Sequence, residues 1–398
     1  MMIVCQSLMR ASSFAIENGL ASLVNPVFSN TRETTYLMID LNLLESYVDK
    51  FPSSVAPFLH RSLPAPTKKI KILNNIPLTS ETILKIFQLI RAGFDVTVTS
   101  TEVVPPRQDA VDILKQAGVN YANTHQELAG KSFDVVLDCC AEFLDIVQPA
   151  LGAVELTRSG AQKFREAQLS YPVISVDDSR IKALETCLGT GDGFLRGLEY
   201  LNQESIIKKT FIVVGFGKVG RGVAHYLRQQ GAVVAVAERA HQYLQLAANK
   251  GYVVIDTRDL NVFADRIQSA DGIVTATGKK HLLSHLFSNR ELFANKILAN
   301  VGAEDEFGDL FADSEVLHNK LPVNFCLENA TKMQYLDPVF YAHNLAIDGL
   351  VRHQNSLENK VHILDEKIDH EILEAWCSHH GTTYEAIDAI ADFNEMGY

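Results

Sequence analysis

Short apolar runs rich in β-branched residues alternate with amphipathic stretches along most of the chain. Such runs read as strands buried on both faces, and the stretches between them as helices laid across those faces. In the first half the pattern predicts strands at residues 69–73, 95–99, 133–138 and 172–176, with helices at 80–92 and 109–117. In the second half it predicts strands at 210–214, 232–237, 252–255, 272–275, 296–301 and 321–325. Strands alternating with helices build parallel sheets, so the expected class is α/β, doubly wound. Residues 1–35 are weakly patterned. Residues 35–62 read as a strand or helix entry and then an amphipathic helix, with Pro52 as a break before Pro64-Ala65-Pro66. Residues 179–200 form one long helical stretch whose Gly189, Gly191 and Gly193 predict a bend between two domains. Helices are also expected at 339–353 and from 362 to the end, with Trp376 and Tyr384 packing apolar faces.

At 398 residues the chain suits two domains better than one core. Its 47% hydrophobic content is ordinary for a globular protein. A net charge of −12 with no Lys/Arg block argues against nucleic acid as a partner. No apolar window reaches the roughly 18 residues of a membrane span, and no basic leader precedes a long apolar core. The expectation is a cytoplasmic protein with no membrane partner. The six cysteines, Cys5, Cys139, Cys140, Cys187, Cys326 and Cys377, form no C-x-x-C pair and are expected to be reduced and mostly buried. Cys139-Cys140 ends a predicted strand and reads as inert filler.

The run at 210–214 flows into Gly215-Phe216-Gly217-Lys218-Val219-Gly220, then a helical pattern, then a second apolar run ending on Glu238. That is the dinucleotide fingerprint G-x-G-x-x-G in its full context. Gly215 permits the tight turn, Gly217 lets the backbone approach a pyrophosphate, and Gly220 lets helix pack on strand. Helix-start amides face the phosphates, and Glu238 is placed to accept from the adenosine ribose hydroxyls. A carboxylate there repels a 2′-phosphate, which favours NAD over NADP although Arg239 adjoins it. Thr275-Ala276-Thr277-Gly278 ends another strand of the same unit, where ligands of open α/β sheets sit. Gly189-Thr190-Gly191-Asp192-Gly193 lacks the G-K-[ST] ending of a phosphate loop and reads as the helix bend. His281 with His285, and His370 with Cys377, His379 and His380, lack the further ligands a metal needs, so no metal is expected.

Val176-Asp177-Asp178-Ser179-Arg180-Ile181-Lys182 is similar to the V-N-D-S-x-x-K signature of the S-adenosylhomocysteine hydrolases. The resemblance runs in order through residues 65–375. Leu78-Thr79-Ser80-Glu81-Thr82 resembles the family's H-M-T-x-E-T-A, and Gln108-Asp109-Ala110 its S-T-Q-D. Leu137-Asp138 resembles the start of L-D-D-G-G-D, and residues 155–160 resemble E-E-T-T-T-G. Residues 275–278 match T-T-T-G, Val301-Gly302 begins I-G-H-F, and residues 361–373 resemble V-Y-V-L-x-x-x-L-D-E. The resemblance implies two doubly wound parallel-sheet domains. A Rossmann NAD-binding domain at 186–344 is inserted in a substrate domain of 1–185 plus 345–398. It implies a homo-oligomer, dimer or tetramer, and NAD bound by Gly215, Gly217, Lys218, Val219, Gly220 and Glu238. Thr275, Ala276, Thr277, Gly302 and Asn324 complete the implied cofactor set.

In that family NAD takes a hydride from the substrate's ribose 3′ carbon, a thiol leaves from C5′, water adds and the hydride returns. A lysine and acid/base histidines move the protons. Lys182 and Thr79 are kept here as the implied catalytic and substrate-binding residues. Much of the rest departs. Pro77 stands for histidine, Cys139 for aspartate, Leu156 for glutamate, and Thr186-Cys187 for aspartate–asparagine. Ala303 replaces the histidine of I-G-H-F, Asp337-Pro338 stands for histidine-proline, and no lysine follows Lys367. Each lost buried polar partner of a ligand costs about 1–3 kcal/mol, so hydrolysis of adenosylhomocysteine is not expected. The expected function is hydride transfer on another small-molecule substrate, with Lys182 as the catalytic group and Asp337 and His343 as replacement acid/base groups. The alternatives are an NAD-holding pseudoenzyme with a regulatory or scaffold role, and the parent hydrolysis.

Overall fold

The structure, a computed structural model, describes residues 39–202 and 204–393. The weakly patterned residues 1–35 and the last residues of the tail lie outside these. The chain begins with α1 (Leu41–Val48), whose N-cap Asp40 accepts from Leu43 N at 3.1 Å. It continues through β1 (Lys71–Asn75), α2 (Ser80–Arg91), β2 (Asp95–Thr99), α3 (Gln108–Gln116), β3 (Asn120–Tyr121), β4 (Val135–Asp138), β5 (Gly152–Glu155), α4 (Arg158–Glu166) and β6 (Val173–Ser175). A π-helical turn (Leu184–Gly189) and α5 (Thr190–Asn202) lead to β7 (Thr210–Val214), α6 (Lys218–Gln229), β8 (Val233–Glu238), α7 (His241–Asn249), β9 (Val253–Asp256) and α8 (Leu260–Ser269). Then come β10 (Gly272–Thr275), α9 (Leu282–Leu286), β11 (Ile297–Asn300), α10 (Met333–Arg352), β12 (Val361–Ile363), α11 (Glu366–His379) and α12 (Tyr384–Ala391).

The strands form two all-parallel sheets, β12-β6-β5-β4-β1-β2-β3 and β11-β10-β7-β8-β9. The fold class is α/β, as the alternation predicts. After leaving the second sheet the chain returns to the first, where β12 pairs with β6. In each sheet the strand order reverses beside the first strand, at β1 and at β7, and ligand crevices of open α/β sheets lie at that point. The first core also takes in Met333, Tyr335 and Val339, so α10 belongs to it from its first turn. The expected boundary at 344 therefore falls inside one helix.

Several elements differ from the sequence expectation. Strand β5 was missed because Gly152 and Glu155 leave only Ala153 and Val154 as apolar signal. Strand β12, Val-His-Ile, occupies the start of what the pattern reads as helix from residue 362. The strand expected at 321–325 is instead a 3₁₀ turn, Val323–Cys326, because Pro322 offers no ladder donor. Helix α10 begins before Pro338 and runs through it. The proline cannot donate to Gln334 O, and Trp376 Nε1 takes that carbonyl at 2.8 Å. Around Gly189–Gly193 the glycines serve close packing within a continuous run from the π-helical turn into α5. A Cβ on Gly191 would lie 2.7 Å from Gly222 C, and one on Gly222 would lie 1.8 Å from Cys187 O.

Candidate functional site

A cavity of about 990 Å³ is lined by segments that leave the carboxyl ends of both sheets. On the second-sheet side the backbone turns sharply at Gly215, whose φ of +97° lies in the left-handed region glycine favours. A Cβ on Gly217 would meet nothing within 4 Å, so its backbone faces open cavity. Lys218 and Val219, the first residues of α6, also line the space. Glu238 ends β8, and its carboxylate accepts from Phe216 N at 3.0 Å, Arg239 N at 2.6 Å and Ala240 N at 3.1 Å. These bonds tie the acid to the glycine turn. A bare backbone at a helix start, with a carboxylate fixed at the next strand end, fits a dinucleotide.

The floor is made by Ala276, Thr277 and Gly278, held by a residue the sequence did not flag. Glu306 is fully buried. It accepts from Thr277 N at 2.9 Å, Thr277 Oγ1 at 2.6 Å and Gly278 N at 2.7 Å. Burial raises its carboxyl above the usual range, against the lowering effect of these donors. Gly302 is needed because a Cβ there would sit 2.0 Å from Glu306 Oε1. Thr275 donates to Asn300 Oδ1 at 3.1 Å, and Asn300 Nδ2 donates to the carbonyls of Gly302, Glu304 and Lys320. Asn324 lines the cavity with its buried Oδ1 lacking a hydrogen-bond partner, an acceptor left for a bound donor.

On the first-sheet side Lys182 reaches the cavity from the turn after β6 and is almost fully buried. Its Nζ donates to both oxygens of Glu185 at 2.8 Å. Burial alone would lower the ammonium, but Glu185 and Asp177 outweigh it and hold Lys182 above its usual value. Lys182 is therefore charged at neutral pH. Glu185 escaped the sequence reading, although its i,i+3 spacing from Lys182 was the available signal. Lys218 spans from the fingerprint to Asp177, donating to its carbonyl at 2.6 Å and its carboxylate at 3.1 Å. That bond ties the cofactor turn to the D-D-S segment.

Five candidates lie off the cavity wall. Gly220 packs behind the turn, where a Cβ would come within 2.0 Å of Gly215 O, and Thr275 is wholly buried beneath the floor. Thr79 caps α2, its amide donating to Thr82 Oγ1 at 2.9 Å. His343 is fully buried, with Nε2 2.9 Å from Val154 O, and burial drives its basicity well below the usual range. Asp337 is likewise interior. Its carboxylate accepts from Phe58 N at 2.9 Å and Leu59 N at 2.8 Å. Neither residue is an acid/base group of this cavity; both bind distant backbone to α10.

Asp337 has a measurable signature. Burial pushes its carboxyl up to about 7 despite the two amide donors, against an ordinary value of 3.8. Between those values the folded chain keeps a proton that the unfolded chain has lost. Its contribution to stability is thus present at low pH and is lost as pH rises through 7. The stability of the protein relative to Asp337→Asn is expected to grow by roughly 1.4 kcal/mol per unit as pH falls across this window. Urea denaturation of both proteins at several pH values measures it, and a constant difference would reject the assignment.

Residues 187–322 match the family model described as S-adenosyl-L-homocysteine hydrolase, NAD binding domain. The chain is 28% identical over 244 residues to an S-inosyl-L-homocysteine hydrolase of Methanopyrus kandleri, covering 55% of this chain and 56% of that protein. It is 27% identical over 240 residues to an adenosylhomocysteinase of Thermococcus kodakarensis, covering 54% and 57%. It is 24% identical over 348 residues to an adenosylhomocysteinase of Saccharolobus solfataricus, covering 77% and 84%. The match thus spans little more than half the length of the first two relatives. Among the described residues no helix is long and apolar enough to cross a membrane.

Proposed function

Because the chain belongs, through its NAD-binding domain, to the S-adenosyl-L-homocysteine hydrolase family, we propose that it performs NAD-dependent hydride transfer on a small hydroxyl-bearing molecule other than S-adenosylhomocysteine. The observation that carries this reading is Lys182, a buried ammonium facing the same cavity as the dinucleotide turn. NAD, when bound, supplies the hydride acceptor. Gly215, Gly217 and Glu238 would hold it, and Asn324 Oδ1 offers its unpaired acceptor. Lys182 donates a hydrogen bond to the substrate oxygen as its charge changes, and Glu185 keeps that ammonium charged and oriented.

The parent reaction asks more of the site. Thiol departure and water addition need further proton carriers, and none of the described residues lining the cavity is a histidine. Thr186 and Ala303 line it where the family pattern has aspartate and histidine. An alcohol–ketone exchange moves a single proton at one oxygen, and the Lys182–Glu185 pair on this wall would carry it: Lys182 passes a proton to the Glu185 carboxylate and takes the hydroxyl proton in its place.

The test begins with denaturing the purified protein and identifying the released dinucleotide. The intact protein is then offered a panel of secondary alcohols, with S-adenosyl- and S-inosylhomocysteine included, and NADH absorbance is followed. Reduction by an alcohol without homocysteine release is expected. Homocysteine release from either thioether would overturn the substrate assignment. Bound NAD that nothing reduces would favour a holding role.

A further inference from the structure

The turn after β4 carries two neighbouring thiols that the proposed reaction does not use. Cys139 Sγ and Cys140 Sγ lie 3.9 Å apart. Their turn is gripped by the two buried acids at the ends of β4 and β5. Asp138 accepts from Cys139 N at 2.8 Å and Phe143 N at 3.0 Å. Glu155 accepts from Cys140 N at 3.1 Å and Ala141 N at 3.0 Å. Under that grip Cys140 and Ala141 both take left-handed φ values, 66° and 51°, which is rare for non-glycine residues. The grip presents Cys140 at the surface, partly exposed, while Cys139 stays buried beside it. Ser159 Oγ donates to Cys140 Sγ at 3.8 Å and Lys163 Nζ to Cys140 O at 2.9 Å.

We propose that Cys139 and Cys140 form a reversible oxidation site for hydroperoxides, closing as a disulfide between adjacent residues. Cys140 Sγ, as thiolate, attacks one hydroperoxide oxygen. An S–O bond forms, the O–O bond breaks, and the departing oxygen takes a proton to leave as alcohol or water. The Cys139 sulfur then attacks the sulfenic sulfur. The S–S bond forms, the S–O bond breaks, and the Cys139 proton leaves with the hydroxide as water. Two thiols and one hydroperoxide become one disulfide, one alcohol or water, and one further water.

The neighbouring thiol decides the outcome more than acidity does. The Cys139 thiol foremost, and then the Ser159 hydroxyl, lower Cys140 to about 6 against burial. At neutral pH that raises the thiolate fraction roughly thirtyfold over an ordinary thiol, but lower basicity also weakens the nucleophile. The net gain in rate is only about twofold. What sets the site apart is a second sulfur in position to capture the sulfenic acid. Adjacent Cα atoms lie about 3.8 Å apart, closer than the usual disulfide span of about 4.4–6.8 Å, so the closed form is strained and readily reduced. Closure also reaches the cavity, because Cys140 N donates to Thr157 Oγ1 at 3.0 Å and Thr157 lines the wall.

The dinucleotide-loaded protein is treated with equimolar hydrogen peroxide at neutral pH, alkylated, and mapped by mass spectrometry. The Cys139–Cys140 peptide is expected to lose two hydrogens and resist alkylation before Cys326 changes, and to recover with dithiothreitol. In Cys139→Ser the same peptide should instead hold a dimedone-trapped sulfenic acid at Cys140. Full alkylation of both thiols after Cys326 has oxidised would overturn the proposal. So would a two-hydrogen loss that persists in Cys139→Ser.

Discussion

Lys182→Ala is expected to lower turnover by about 10²–10⁴, the usual contribution of a positioned acid or base, while bound NAD is retained. The two effects separate because Lys182 lines the cavity from the first-sheet side, whereas the glycine turn and Glu238 are held by other bonds. Loss of the ammonium leaves Glu185 partly exposed and able to meet water, so the fold should survive. The pH profile gives an independent reading. Burial pulls the Lys182 ammonium down, and Glu185 and Asp177 pull it up and prevail. The protein should therefore show no Lys182 titration in the neutral range. Glu185→Gln removes the larger of the two opposing charges, so Lys182 should lose its proton at lower pH and a new basic limb should enter the profile. Turnover and released NAD measured on both variants decide it. Unchanged turnover in Lys182→Ala would reject the catalytic role, and loss of NAD from the same variant would make Lys182 a cofactor residue.

What the sequence disclosed follows from how local each signal is. Strands β2 and β10 were legible to the residue because each is an apolar run flanked by turn residues. The fingerprint was legible because its glycines answer to constraints within one turn, the left-handed φ of Gly215 and the 2.0 Å approach a Cβ on Gly220 would make to Gly215 O. Asp337 and His343 were misread because their partners, the amides of Phe58 and Leu59 and the carbonyl of Val154, lie far away in sequence. A polar residue on a helix carries no mark telling whether it faces a cleft or a distant backbone. Glu306 was invisible for the same reason, since its bonds to Thr277 span 29 positions. Glu185 differed. It lies three residues from Lys182, so its pairing with the lysine is a local i,i+3 signal that the sequence does carry.

Replacing Glu306 with alanine should weaken NAD binding by more than about 10²-fold, although this residue does not line the cavity. The carboxylate satisfies Thr277 N, the Thr277 hydroxyl and Gly278 N, and the alanine would strand all three. A fully buried donor left unpaired costs about 1–3 kcal/mol; Thr277 is half-buried and Gly278 exposed, so the three together are expected to lose about 2.7 kcal/mol or somewhat more, already a hundredfold in affinity. Even with water recovering part of that, the floor of the dinucleotide site is expected to move. Glu306→Gln separates hydrogen bonding from charge. Its amide oxygen can keep the Thr277 and Gly278 amides, and its NH₂ can donate to the Thr277 hydroxyl, which rotates to accept. Burial already disfavours the ionised form of Glu306, so the neutral glutamine should hold NAD within a few-fold of the parent protein. Titration calorimetry with NAD on the dinucleotide-stripped proteins measures both. A glutamine variant as weak as the alanine one would mean that charge, not hydrogen-bond count, fixes the floor. An alanine variant with parental affinity would mean that Thr275 and Asn300 alone hold it.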